Sequence, residues 1–227
     1  MNYFETLINE KDIVYKDRWH PSTVDNFKKL VRQGVLKDIN PGILSNIAYS
    51  LQYLQYLQLQ IDELKLHSIV ECLLYKTYII TAMSIVEAIF NQVLKCTDKY
   101  PKTDGWECIR QIKSTEYEEN DNFYRLETIF YIKSEPKEKL IDFNTTINRI
   151  KDKKLLDLES SKFPDIKKLQ KLRNRVHLQM AEDSSDTDYY KFNSNDFKLA
   201  KKTLYSVLTD KKILINDSYE KYLDFLV

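Results

Sequence analysis

Arg173, Asn174 and His177 stand within KLRNRVHLQM (residues 171–180). They combine an always-charged guanidinium, an amide and an imidazole that titrates near neutrality. The chain has only three histidines, His20, His67 and His177, so one placed a short step after an arginine draws attention. On a helix from Asp165 to Met180, with residues about 100° apart, Ile166, Leu169, Leu172 and Val176 form an apolar stripe. Arg173 and His177 project together along the border of that stripe, one turn apart, while Arg175 points away with the exposed lysines. A fixed cation beside a proton-exchanging ring suits contact with an anion. The same spacing also fits an arginine and a histidine hydrogen-bonded at a helix flank.

Charge around this motif is uneven. Between Arg149 and Arg175 there are ten Lys or Arg against four Asp or Glu, an excess of about +6, whereas the whole chain carries +1. A polyanion would be drawn to this stretch of a nearly neutral protein.

The elements that must position the motif are helical. PSTVDNFKKLVRQG gives a hydroxyl cap, an apolar period and a glycine stop, a helix from about Thr23 to Gln33. Ile43 to Leu66 repeats Leu44, Ile47, Leu51, Leu54, Ile61 and Leu64 at helical steps. Within it, LQYLQYLQLQ fits either a helix packed on its own core or a dimer seam. HSIVECLLYKTYIITAMSIVEAIFNQVLKC is the strongest helix, and must be central. Thr77, Thr81, Ser84, Asn91 and Lys95 share its polar stripe, with Glu87 at the edge. A carboxylate so near the core needs a basic partner, and Arg173 is a candidate. Leu140, Phe143, Ile147 and Ile150 space a further helix, and Phe197, Ala200, Leu204, Val207 and Leu208 another. SYEKYLDFLV closes the chain as a short docked helix. The aromatic and β-branched segment FYRLETIFYIK fits a small hairpin or a helix.

Other chemistries lack their signatures. Glycine occurs only at 34, 42 and 105, without a phosphate-binding loop; there is no nucleophile-elbow serine and no close metal-ligand cluster. Cys72, Cys96 and Cys108 are odd in number and widely spaced, which suits a reducing cytoplasm. The N-terminus has no apolar block of signal-peptide type, and Glu71, Lys76 and Glu87 interrupt the most apolar region, so no membrane span is expected. His20 and His67 read as structural.

From Ile43 to Leu208 the order of parts resembles the HEPN superfamily, the all-helical domains of prokaryotic toxins, abortive-infection proteins and related ribonucleases. The likeness rests on AMSIVEAIFNQVL, LIDFNTTINRIKDKKLLD, IKKLQKLRNRVHL and YYKFNSNDFKLAKKTLYSVL after a long helix. Arg173, Asn174 and His177 match the family's late motif of arginine, polar residue and histidine. The gap here is three residues, where the family usually has four to six.

The resemblance implies an all-α fold, a HEPN-like bundle with long central helices, with room for a small β-hairpin insertion around residues 106–133. It implies residues 1–40 as an N-terminal helical extension on the core and 41–227 as the HEPN-like domain, one globular unit overall. The implied activity is metal-independent RNA cleavage by the ribose 2′-hydroxyl, without a cofactor. His177 would move the proton, Arg173 would stabilise the phosphorane, and Asn174 would orient the histidine or contact the phosphate. Glu87 and Ser84 would support them, and Lys167, Lys168, Lys171 and Arg175 would hold RNA. The implied partners are RNA, a second copy of the chain, and an antitoxin or defence-system protein. The alternative is a non-catalytic module that binds RNA or scaffolds a partner protein.

Overall fold

The computed structural model describes residues 19–176 and 187–227; of Tyr190 it describes the backbone only. His177, residues 1–18 of the expected N-terminal extension and the expected helix beyond Val176 lie outside these residues. The chain divides into two compact units, one running up to Asp98 and again over Asp142–Val227, the other spanning Lys99–Ile141. Both divisions fall inside residues 41–227.

The first unit is helical. Helix α1 (Val24–Val31) starts where the Thr23 hydroxyl accepts from the Asn26 N–H, and it buries Phe27, Leu30 and Val31. It ends before the expected Gln33, and Gly34 opens a 3₁₀ turn (Gly34–Leu36) at φ +48°. A Cβ at Gly34 would lie 2.0 Å from the Lys212 carbonyl oxygen. Glycine is therefore required for the Val35 N–H to reach that oxygen at 2.8 Å.

Helix α2 (Pro41–Glu63) is capped by the Asn40 side chain and starts on proline. Leu51, Leu54 and Leu57 of its repeat are buried in the protein's own core, so these leucines are not free to form a dimer seam. Helix α3 (Ser68–Cys96) starts where His67 Nδ1 accepts from the Ile69 N–H, a structural use of that histidine. By length and composition α3 could cross a membrane. Here it packs against α2 and against α4 (Phe143–Asp152), α5 (Lys162–Asn174), α6 (Asp188–Lys191) and α7 (Ser194–Leu208). Tyr78, Ile79, Met83, Val86, Ile89, Phe90 and Val93 are fully buried in that packing. Asp142 caps α4 by accepting from the Thr145 N–H, and Leu140, expected on its core face, precedes the helix and is exposed. Asn193 caps α7 by accepting from the Asn195 and Asp196 N–H groups. The chain closes with a 3₁₀ helix (Asp217–Leu226) that buries Leu223 and Leu226.

The second unit overturns the all-α expectation. Strands β1 (Trp106–Lys113), β2 (Tyr117–Glu119), β3 (Asn122–Tyr124) and β4 (Glu127–Lys133) form one long hairpin, β1 antiparallel to β4 and β2 to β3. The protein is mostly helical with a separate β unit. The cause is local: aromatic and β-branched residues suit the strands, and Asn120 and Asp121 make the tight turn at φ 51° and 59°. Both residue types tolerate the left-handed region better than most, which makes a two-residue hairpin turn affordable without glycine. Gly105 closes the base at φ +80°, where its carbonyl accepts from the Ser134 N–H.

Candidate functional site

Helix α5 carries the motif. Phe163, Ile166 and Leu169 are buried and anchor it, whereas Leu172 is half-buried and Val176 exposed, so the apolar stripe fades toward the C-terminus. Lys171 and Arg173 fall in the last turn, where cations meet the partial negative charge of the unpaired carbonyls. The helix then stops at Asn174. The Arg175 N–H bonds to the Leu172 carbonyl at 3.0 Å and the Val176 N–H to that of Arg173 at 3.2 Å, three-residue steps of a tightened terminal turn. The helical phase expected from Asp165 onward does not hold through Arg175 and Val176, and the rest of the expected run, His177 to Met180, lies outside the described residues.

Arg173 reaches across to α3. Its Nη2 donates to Glu87 Oε2 at 2.5 Å, and its Nη1 lies 3.5 Å from Asn174 Oδ1. The two paired side chains keep 31% and 23% of their exposure, so the ion pair sits at an accessible seam between α5 and α3. Burial pushes the Glu87 carboxyl above its ordinary range, and the Arg173 guanidinium pulls it partway back. Glu87, Arg173 and Asn174 are therefore brought together.

The remaining expected residues fall in other settings. Ser84 donates to the Ile80 carbonyl and lines a groove with Ile43, Ile47 and Ser50 of α2. Lys168 is engaged by Asp196 at 2.5 Å, a contact that holds α5 to the start of α7. Lys171 is exposed and Lys167 half-buried. Arg175 is half-buried too, which corrects the expectation that it stands among solvated lysines. Clefts of about 500 Å³ beside Asp157, Tyr205 and Asp210, and of about 380 Å³ beside Trp19, Gln55 and Lys201, are lined by neither Arg173 nor Asn174.

One cluster was not foreseen. Lys76, nearly buried on α3, pairs with Asp188 at 2.5 Å, and the Cys72 Sγ lies 3.1 Å from the Phe192 carbonyl and 3.3 Å from that of Asp188. Burial pushes the Cys72 thiol up. Lys76 gave the only available signal, a lysine in an otherwise apolar run; the acid that answers it sits in a polar stretch, DSSDTDYY, where no pattern singles out one aspartate. Among the described residues no group of three or more His, Cys, Asp or Glu could hold a metal ion.

Comparison with family models, curated proteins and solved structures returned no match to this chain.

Proposed function

We propose that this protein is a metal-independent endoribonuclease of toxin or abortive-infection type, acting in the cytoplasm. The observation that carries the reading is the Arg173–Glu87 pair. It fixes a guanidinium at a partly exposed seam, one residue before an amide and four before a histidine, instead of leaving it on a mobile side chain. In the reaction the ribose 2′-oxygen bonds to the adjacent phosphorus, the 5′-oxygen leaves, and a 2′,3′-cyclic phosphate remains. Arg173 stabilises the extra charge on the phosphorane, His177 moves the proton and Asn174 orients it. Lys167, Lys171 and Arg175 add positive charge for the RNA backbone. Dependence on the 2′-hydroxyl makes DNA a non-substrate.

A second reading is a non-catalytic module that binds RNA or scaffolds a partner protein. It is favoured by the use of Arg173 and Lys168 as ties between helices. One assay separates the two. Cellular RNA incubated with the purified chain in chelator should yield fragments ending in cyclic phosphate. His177→Ala should abolish them without changing helicity or melting. Equal inertness of wild type and variant removes the nuclease reading for the isolated protein.

A further inference from the structure

Strand β4 is exposed at all seven of its residues, ETIFYIK. Its inner edge pairs with β1, and among the described residues their sheet holds those two strands alone, so there the outer edge offers unpaired N–H and C=O groups. The two edges of this ribbon differ. The register of β1 shifts between Cys108 and Arg110, a bulge that leaves Ile109 without a partner and bends that strand. β4 runs from Glu127 to Lys133 without proline, glycine or bulge, which is a regular template for another strand.

The sequence of β4 answers the question of which strand fits. It has an acid at one end, a base at the other and Phe130 at its midpoint. Laid antiparallel on a second copy about Phe130, Glu127 meets Lys133 at both ends, Thr128 meets Ile132, Ile129 meets Tyr131, and Phe130 meets its own counterpart. A slip of two residues in either direction leaves Glu127 or Lys133 without an opposite charge.

The faces agree as well. The register with β1 places Trp106, Cys108, Ile129 and Tyr131 on one face and Ile112, Phe130 and Ile132 on the other. Pairing about Phe130 keeps each set on its own side. Glu127 already lies 3.4 Å from the Lys113 Nζ, so in the pair it would stand between two lysines. A two-stranded ribbon is marginal in water, and a four-stranded one is much less so.

We propose that β4 is a self-complementary edge through which two copies of this chain join in a four-stranded antiparallel sheet, ordered β1–β4–β4–β1. The occupant is a second copy because the charges and side-chain sizes of β4 are complementary to its own reversed sequence. The inference rests on the ribbon and does not depend on the nuclease reading.

Sedimentation of the full-length chain over a range of concentrations tests it. The wild type is expected to dimerise, and Lys133→Glu or Glu127→Lys alone to weaken the dimer about tenfold or more by setting like charges opposite. The double reversal is expected to restore most of the affinity. In a Cys108→Ser background, Phe130→Cys should form an intermolecular disulfide under mild oxidation. Thr128→Cys alone should not, but mixed with an Ile132→Cys chain it should. A monomer at all concentrations, including one that instead captures a foreign strand, overturns the proposal. So does a dimer indifferent to both single reversals, or Thr128→Cys cross-linking to itself as readily as Phe130→Cys. If Phe130→Cys disturbs the ribbon, the charge reversals still decide, because a merely misfolded ribbon would not recover in the double variant.

Discussion

In the helical unit Phe27, Leu54 and Phe90 are fully buried, and the charges that approach the core are answered: Lys76 by Asp188, Asp196 by Lys168, Glu87 by Arg173. In Lys99–Ile141 no strand residue is buried, and Phe123 and Leu126 are 73% and 65% exposed. The same residue types thus serve two purposes. Inside the helical unit an aromatic ring is held by neighbours on all sides and its removal leaves a void. On the ribbon the backbone ladder and one turn set the shape, and the side chains add little to the stability of a single copy. Hydrophobicity without burial marks a surface that has some other use.

The largest expected effect contrasts two phenylalanines. Phe90→Ala, beside Phe143 in the core, should cost about 3–5 kcal/mol of unfolding free energy. Phe123→Ala on the ribbon should stay within about 0.5 kcal/mol. Chemical denaturation followed by helical circular dichroism measures both. Comparable losses would mean that the ribbon has a core of its own and would break the contrast.

Ion pairs sharpen it at smaller amplitude. Asp188→Ala leaves the Lys76 ammonium, with 11% of its side chain exposed, without its carboxylate and with the Phe192 ring 5.7 Å away. A loss of about 2–3 kcal/mol is expected in the same assay. Glu127→Ala breaks the Lys113 pair on the ribbon, where the two side chains are 50% and 35% exposed, and at monomeric dilution should cost less than about 0.5 kcal/mol. Equal costs would show that the Lys76 site is wetter than its packing implies.

How much of this was legible follows the same division. Long apolar periods located α2, α3 and α7, because a buried helical face imposes its spacing on the sequence. The ribbon was legible only in part: aromatic and β-branched FYRLETIFYIK fits a hairpin, but strands exposed on both faces carry no alternation between inside and outside, so the same stretch also fits a helix. Its clearest signal was Asn120–Asp121, whose side chains tolerate the left-handed turn that the structure uses. At the site, the Glu87 and Arg173 pairing could be anticipated from a carboxylate at the margin of a core helix. The end of α5 at Asn174 could not: Val176 continues the apolar period by type, yet it stands 46% exposed after the last turn. Periodicity reports which residues could face a core, and it does not report where packing stops supporting the helix. Lys168 keeps 59% of its side-chain exposure while it pairs with Asp196, buried at the start of α7, and a partner so distant in sequence leaves no mark on the composition around the lysine.

The smallest expected effect concerns Glu87, and it bears on the site itself. Its carboxyl is pushed above the ordinary value of 4.5 by burial, with Arg173 opposing. A carboxyl whose folded value is raised holds its proton more tightly in the folded chain than in the unfolded one. The stabilisation this gives is complete below pH 4.5 and is lost as pH rises through the raised value. Glu87→Gln has no proton to lose, so its stability relative to wild type should increase from about pH 4 to about pH 8, by less than about 1 kcal/mol. Urea denaturation across that range measures the difference. A shift in the opposite direction would mean that attraction to Arg173 outweighs burial. The pairing with the guanidinium, and not burial, would then set the carboxyl's response to pH.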